Sequence, residues 1–400
     1  MNTTHTFLRR FIFSLTLVSF LTAPVFPAFA ATDMEVSGWI PYWTVKDGTK
    51  DADKHLDVLT EIHPFVYALK SDGSMSDLGN LKSRYWKNLF KKARKGDVAI
   101  IPTITTANGD LVHRLLSDEK LRKEHIKKIV ALVKKEKFDG IDINYEGKMS
   151  ATKPYFSLFL TELKKALGTK TLACSIEART PPESLYREIP TDIAYANDLP
   201  TIGVACDKVS IMTYDQQRAD ISLNDARIGA PYIPVADNAW VRKVVAHMTQ
   251  FIPAEKLSLG IATYGHEFEV IVAPQQFLAY NKVGSRNPDT AIDKAKDKKV
   301  TPSRNAAGEL SYSYLPPHID KLIPKNIAIP NNTLDGNIAA AKALAYANQR
   351  DMSLPIYVVW WSDAEAIKDK VEIAEEFGLR GVSIFKIDGH EEQDLWDAFE

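Results

Sequence analysis

Residues 138–146 read Phe-Asp-Gly-Ile-Asp-Ile-Asn-Tyr-Glu, a short segment in which polar and apolar side chains alternate. Because the side chains of a β-strand point to opposite faces in turn, Asp142, Asn144 and Glu146 share one face, spaced roughly 6.6 Å apart. Burying charge is unfavourable unless the charge is paired or has a function, so this row of polar groups indicates a catalytic site. Asn144 stands where a third acid would be expected.

The rest of the chain repeats one unit, a β-rich run followed by an amphipathic helical run. This alternation is typical of βα units around a parallel sheet. The strand candidates are residues 36–40, 64–69, 98–104, 138–143, 171–176, 208–212, 257–263 and 381–387. Helical spacing of apolar residues predicts helices at 118–137 and 154–167. Eight such units predict an α/β fold, a (β/α)8 TIM barrel with its active site at the carboxyl ends of the strands.

One interval is too long for a single crossover helix. Residues from 266 to about 354 separate the seventh strand from the final βα unit. They contain scattered Pro and Asn residues, an alternating Ser-Tyr run at 311–314 and an Ala-rich helical run at 335–350. We expect a small α+β insertion on the catalytic face of one catalytic barrel that spans residues 31–400.

The first 30 residues have the composition of a secretory signal peptide. They contain no acid, carry Arg9 and Arg10, continue into an apolar run and end in Ala-Phe-Ala, a small-residue cleavage site. An uncleaved membrane anchor is the alternative, although two prolines in the segment disfavour it. We therefore expect a secreted or cell-envelope protein that has no membrane span once residues 1–30 are removed.

Charge and cysteine usage limit the possible classes of protein. The formal net charge is −1, and loss of Arg9 and Arg10 would make it −3, so without a basic cluster the chain gives no sign of nucleic-acid binding. The charges of the Lys-rich helix at 118–137 are interpreted as a solvated face. No His residue has metal-ligand spacing, so neither a metal nor another cofactor is expected. Cys174 and Cys206 either form a disulfide or remain buried thiols.

The motif at 139–146 resembles the fourth-strand signature of glycoside hydrolase family 18, the chitinase-like family. Further segments resemble motifs of that family in the same order, and the likeness covers nearly the whole mature chain. They are residues 212–215, Tyr264 with Gly265, residues 361–366 with Lys370, and residues 381–389. Segments 64–67, 101–104 and 379–383 are most similar to the bacterial branch of spore-cortex and cell-wall N-acetylglucosaminidases. The third-strand motif of true chitinases is replaced by Thr-Ile-Thr-Thr at 103–106, which favours peptidoglycan over chitin.

The resemblance implies a retaining, substrate-assisted mechanism, in which the acetamido oxygen of the sugar is the nucleophile. Glu146 would be the general acid and base, Tyr214 would hold the acetamido group, and Asp142 would belong to the same catalytic group. The family usually has Asp where this chain has Asn144. An amide oxygen can accept the acetamido N–H but carries no charge, and loss of a preorganised charged group lowers a rate on the order of 10²-fold. Turnover is therefore expected to be slow unless Asp142 compensates in part.

Further positions are expected to bind substrate or to flank the cleft. The resemblance and their places in the chain assign substrate binding to Asp215, Met212, Phe385, Tyr264, Tyr67 and Trp43. Phe385 replaces the Trp that usually forms the floor of the central sugar subsite. Glu177 and Arg179 follow the fifth strand, where they either line the cleft or form surface ion pairs.

The expected function is that of an exported, monomeric glycosidase that cleaves β-linked N-acetylglucosamine polymers, either peptidoglycan or chitin-like ones. The alternative is a lectin-like barrel that keeps the cleft but has lost most turnover. Glu146 favours the enzyme, whereas Asn144 and Phe385 favour the binding protein.

Overall fold

The structure is a computed structural model that describes residues 34–399. The predicted signal peptide at 1–30 lies outside these residues. The strands are β1 (Glu35–Pro41), β2 (Glu61–Leu69), β3 (Met75–Asp77), β4 (Ala99–Ile100), β5 (Thr103–Thr106), β6 (Gly140–Tyr145), β7 (Thr171–Glu177), β8 (Lys208–Met212), β9 (Leu257–Ala262), β10 (Gly265–Ala273), β11 (Gln276–Arg286), β12 (Ser303–Arg304), β13 (Leu310–Tyr314), β14 (Leu354–Trp361) and β15 (Gly381–Phe385).

The helices that connect these strands differ widely in length. They are α1 (Val45–Lys54), α2 (Arg84–Lys95), α3 (Gly109–Ser117), α4 (Glu119–Glu136), α5 (Lys153–Leu167), α6 (Pro182–Leu185), α7 (Leu199–Ala205), α8 (Ile221–Ala226), α9 (Asn238–Met248), α10 (Pro288–Lys298), α11 (Pro317–Leu322), α12 (Ile338–Arg350) and α13 (Ala364–Glu376). None of the helices within residues 34–399 combines the length and apolarity needed to cross a membrane.

Eight of these strands close into a parallel barrel. Their order around the ring is β1, β2, β5, β6, β7, β8, β9 and β15, and β15 pairs with β1 to complete it. The predicted (β/α)8 barrel is therefore confirmed. The single strand expected at 98–104 is divided into β4 and β5, because Pro102 between them has no N–H to donate to a sheet.

Local sequence explains the outer layer of helices. The apolar residues of α5 at helical spacing are buried, which fixes the face that this helix turns toward the barrel. Helix α4 begins after Asp118, whose side chain accepts a hydrogen bond from the N–H of Leu121 and so satisfies one free donor of the first turn. The main hydrophobic core lies between these helices and the outward faces of the strands, where Ile141, Ile143 and Tyr145 of β6 are buried.

A second, antiparallel sheet follows β9, in the strand order β11, β10, β14, β13 and β12. The sequence predicts an insertion that ends near residue 354. In the structure β14 pairs with both β10 and β13, so this sheet extends to Trp361. Gly265 begins β10 at a point where β10 and β14 approach each other closely. A Cβ at this position would lie 2.0 Å from the Trp360 carbonyl oxygen. The insertion thus begins directly at the carboxyl end of a barrel strand.

The disulfide between Cys174 and Cys206 resolves the alternative that the sequence left open. Cys174 lies in β7 and Cys206 directly follows α7, with their Cα atoms 6.1 Å apart. Both side chains are fully buried. The bridge therefore fixes the crossover between two neighbouring strands of the barrel, near the amino end of β8.

Candidate active site

Asp142 lies on the inner face of β6, buried inside the barrel. Both of its oxygens accept hydrogen bonds: Oδ2 from Thr103 Oγ1 (2.7 Å) and Trp39 Nε1 (3.2 Å), and Oδ1 from Ser175 Oγ (2.9 Å). The ring of His63 lies 4.0 Å from Oδ2, and burial lowers the pKa of this histidine. These neighbours hold the Asp142 carboxyl group in one orientation.

Asn144 occupies the next inward position of β6 and is also buried. Its Nδ2 donates a hydrogen bond to Glu146 Oε1 at 3.0 Å. Within residues 34–399 its Oδ1 has no hydrogen-bond partner. A buried carbonyl oxygen without a partner is unfavourable by about 1–3 kcal/mol, which makes this oxygen a ready acceptor for an incoming N–H.

Glu146 follows the end of β6 and is half-buried. Burial is the largest influence and raises the pKa of Glu146. The negative charges of Glu177 and Asp215 raise it further, whereas the hydrogen bond from Asn144 and the charge of Lys148 lower it, and the net direction is upward. A carboxyl group with a raised pKa keeps its proton to higher pH, as a general acid requires.

Hydrogen bonds and an ion pair stabilise the turn that follows Glu146. Gly147 has a φ of 62°, in the left-handed region that favours glycine, and its N–H donates to Glu177 Oε1 at 3.2 Å. The buried Lys148 donates to the carbonyl of Tyr145 and lies 3.6 Å from Glu177 Oε2. Glu177, left open in the sequence analysis, therefore pairs with Lys148 and lies next to the turn that carries Glu146.

A further acid, Asp215, follows β8 with a left-handed φ of 54°, a backbone strain that often marks functional sites. Its Oδ2 accepts a hydrogen bond from Tyr264 Oη (3.0 Å), and its Oδ1 lies 2.6 Å from His266 Nε2. Burial raises the pKa of Asp215, but the hydrogen bonds and charge of these two partners outweigh it and the net pKa is lowered. The environments of Asp215 and Glu146 thus move their pKa values apart.

Aromatic rings form one side of the site around Phe385. Its ring is stacked with that of Tyr214 at 5.6 Å between centroids. Its other ring neighbours, at 5.9–6.1 Å, are Trp39, Phe65 and Tyr264. Trp43, 49% exposed, contacts the ring of Phe65 at 6.1 Å, so the rings continue from Phe385 to the protein surface.

The structure brings most of the expected residues together, but not Tyr67. Tyr67 is 5% exposed and belongs to the hydrophobic core between strands and helices. Phe65 takes the cleft position on β2 instead, in contact with Phe385. Met212 lies at the end of β8 in register with Glu177 of β7.

Several site residues were missed or left open by sequence reasoning. Phe65 lies within a segment already noticed for its resemblance, and a bulge in β2 determines that it rather than Tyr67 faces the cleft. His266 comes two residues after Tyr264, in the first strand of the insertion, and no local pattern reveals its contact with Asp215. Ser175 did have a signal, since period-two alternation places it on the same strand face as Glu177.

Together these groups can act on a neutral, ring-shaped ligand. A carboxyl group with a raised pKa can protonate a leaving oxygen, and a free amide oxygen can accept an N–H. An aromatic surface suits the apolar face of a sugar ring. Among residues 34–399 no three His, Cys, Asp or Glu side chains are placed to hold a metal ion.

Comparison with known proteins identifies relatives along most of the chain. The curated protein "Uncharacterized glycosylase YvbX" of Bacillus subtilis (strain 168) is 22% identical over 351 residues, which cover 85% of this chain and 86% of that protein. Di-N-acetylchitobiase of Mus musculus is 23% identical over 288 residues, 69% of this chain and 68% of that protein.

Solved structures share the fold. The spore cortex-lytic enzyme SleL of Bacillus cereus superimposes with a TM-score of 0.66 at 18% identity, over 92% of this chain and 73% of that chain. A class V chitinase from Pseudomonas fluorescens Pf-5 gives a TM-score of 0.68 at 19% identity, over 92% of this chain and 98% of that chain.

The family model described as glycosyl hydrolases family 18 matches residues 36–390, from the first barrel strand to beyond the last. This range contains Glu146 and every other residue of the site described above. The protein therefore belongs to glycosyl hydrolases family 18.

Proposed function

We propose that the protein is an exported glycosidase that cleaves β-linked N-acetylglucosamine polymers by a retaining, substrate-assisted mechanism. The arrangement of Asn144 carries this proposal. Its Nδ2 holds Glu146 while its Oδ1 has no partner among residues 34–399, so one side chain can orient both the acid and an acetamido N–H. A site built this way suits a sugar that brings its own acetamido nucleophile.

In the proposed first step, the acetamido oxygen attacks the anomeric carbon as the bond from this carbon to the glycosidic oxygen breaks. Protonated Glu146 donates its proton to the departing glycosidic oxygen. Tyr214 holds the acetamido group, and Asn144 Oδ1 accepts its N–H. In the second step Glu146, now a carboxylate, takes a proton from a water molecule. The oxygen of that water attacks the anomeric carbon and opens the cyclic intermediate, so that the configuration of this carbon is retained. The raised pKa of Glu146 supports its role as the acid in the first step.

Asp142 and Phe385 have supporting roles in this proposal. The hydrogen bonds to both oxygens of Asp142 keep its carboxyl group fixed beneath the reacting sugar. The reaction is faster for this reason, because the carboxyl group need not reorient as charge develops on the sugar. Phe385 offers an apolar face to the sugar, stacked on Tyr214. The Cys174–Cys206 disulfide supports export, because structural disulfides persist mainly in oxidising compartments.

The catalytic assignment is tested with wild type and the variants Glu146→Gln and Asn144→Asp, each incubated with chitooligosaccharides and with peptidoglycan. Wild type should release reducing ends, and Glu146→Gln should lose roughly 10²- to 10⁴-fold in rate while still binding. Asn144→Asp should raise turnover, because it restores the missing charge beside the intermediate.

A lectin-like barrel is the second candidate, favoured by the uncharged Asn144 and by the smaller ring of Phe385. Wild type that binds both polymers and releases no reducing ends would establish it in place of the enzyme. An unchanged or lower rate for Asn144→Asp would mean that the site depends on the amide.

A further inference from the structure

Helix α2 and the residues before it carry an unusual concentration of positive charge. Residues 82–95 contain seven basic residues and no acid, in a chain whose formal net charge is −1. All seven are exposed: Lys82, Arg84, Lys87, Lys91, Lys92, Arg94 and Lys95. The near-neutral total charge led to the expectation of a chain without a basic cluster. That expectation was wrong.

Helix α4 shows what an ordinary solvated face looks like in this protein. Several of its exposed lysines form ion pairs with acids of the same helix, such as Lys123 with Glu119 and Lys127 with Glu124. Pairs of this kind stabilise a helix by about 0.2–0.5 kcal/mol each. Part of the positive charge of α4 is therefore neutralised within the helix.

The charges of α2 are arranged differently. Lys92 pairs with Asp53, but the side chains of Lys82, Lys87, Lys91 and Lys95 form no hydrogen bond or ion pair with any residue in the described range 34–399. The last three are spaced four residues apart, so they repel one another along one face of the helix. A helix that keeps such repulsion, with no acid of its own to relieve it, presents a surface suited to an anionic partner.

The same side chains border a groove of about 490 Å³ between α2 and the end of α4. Four basic side chains line it, those of Lys82, Lys87, Lys91 and Arg94, together with one acid, Glu136, and the apolar Phe90. The groove also borders Phe138, which precedes the amino end of β6, whereas Glu146 follows the carboxyl end. The length of β6 separates these two points by about 20 Å, so the groove is distinct from the catalytic cleft.

We propose that this groove binds the carboxylate-bearing peptides of peptidoglycan as a second contact outside the cleft. The choice of polymer rests on the proposed function: chitin is neutral, whereas peptidoglycan carries carboxylates on its regularly spaced peptides. Side chains at i and i+4 on a helix lie about 5–6 Å apart, so several lysines can meet neighbouring carboxylates at once. Each exposed ion pair contributes little alone, but several on one polymer act together.

The test measures binding without turnover, using the mature chain with Glu146→Gln. Co-sedimentation with insoluble peptidoglycan and with insoluble chitin compares Lys87→Gln/Lys91→Gln with the matched control Lys321→Gln/Lys325→Gln, whose lysines are exposed on the insertion. The groove variant should bind peptidoglycan roughly tenfold more weakly, equivalent to about 1.4 kcal/mol. Chitin binding should not change, and Lys87→Arg/Lys91→Arg should restore peptidoglycan binding. Only the peptidoglycan interaction should weaken as ionic strength rises toward about 0.15 M.

Peptidoglycan binding by Lys87→Gln/Lys91→Gln that equals that of the control would overturn the proposal, as would an equal loss on chitin. Titration with duplex DNA provides a further arm, and DNA that binds through these lysines more tightly than peptidoglycan would assign the groove to nucleic acid instead. Failure of the proposed catalytic function would appear separately, as absence of reducing ends from the wild-type protein, because binding is measured on the Glu146→Gln background.

Discussion

Glu146 owes its environment to residues from three different strands. Asn144 of β6 donates to it, Glu177 of β7 lies beside its turn, and Asp215 follows β8. Since Asn144 brings no charge, the nearby negative charges come from Glu177 and Asp215. The position between Asp142 and Glu146 on this strand face is therefore neutral, while acids from neighbouring strands still raise the pKa of Glu146.

Replacing Glu177 by Gln should move the alkaline limb of the kcat/KM profile to lower pH. The negative charge of Glu177 raises the pKa of Glu146, so its removal lets Glu146 lose the catalytic proton earlier as pH rises. Because 41% of the Glu177 side chain is exposed, water screens this effect in part. Glu183→Gln, at an exposed acid on α6, is the matched control. A fall in kcat at every pH without displacement of the limb would assign Glu177 a purely structural role.

At the scale of elements, a bulge in β2 decides which aromatic residue reaches the cleft. Strand alternation predicts that Phe65 and Tyr67 share a face. The register with β5 shifts between them, however, so that Phe65 pairs with Thr103 and Tyr67 with Ile104. The extra residue turns Tyr67 away from the cleft, as bulges commonly do to side chains near active sites. Pro64, directly before Phe65, is the residue type in this segment that signals an irregularity, because proline within a sheet is confined to edge strands, strand starts and bulges.

The disulfide is the covalent link between elements, and its loss should destabilise the barrel without changing the site directly. Cys174 and Cys206 are 32 residues apart, and closing a loop of this length stabilises a folded chain by about 3–4 kcal/mol. Cys174→Ala/Cys206→Ala should therefore unfold at a lower urea concentration than wild type, measured by circular dichroism. A disulfide-reduced wild type should behave like the variant. Equal midpoints for all three proteins would contradict this stabilising role.

At the scale of the whole molecule, buried carboxyl groups join the first and last βα units. Glu391, after β15, accepts hydrogen bonds through Oε2 from the N–H groups of Gly389 (2.8 Å) and His390 (2.9 Å). It also faces Asp51 of α1. Burial and the neighbouring Asp51 carboxyl raise the pKa of Glu391 to about 9. When Glu391 is protonated, its carboxyl group can form a hydrogen bond with the Asp51 carboxylate. Two carboxylates in the same place would repel each other.

This pair should make stability depend on pH. Between the ordinary pKa of a glutamate, near 4.5, and about 9, the folded protein holds a proton on Glu391 that the unfolded chain has lost. The stabilisation is complete below that window and is lost as pH rises through it. The melting temperature should fall from pH 6 to pH 9, and less steeply for Glu391→Gln, whose amide mimics the protonated acid. The control is Glu372→Gln, at an exposed acid on α13. If the melting temperatures of wild type and Glu391→Gln fell equally steeply with pH, the role of Glu391 in this pH dependence would be contradicted.

The sequence by itself determined the barrel and the residues of β6, because both depend on local patterns. Strand alternation and helical periodicity are properties of neighbouring residues, and the faces of β6 and α5 follow from them. Tertiary structure alone decided which groups from distant segments meet. The contact of His266 with Asp215 and the unpaired charge of α2 depend on where a neighbouring element places its side chains, and no local period encodes that.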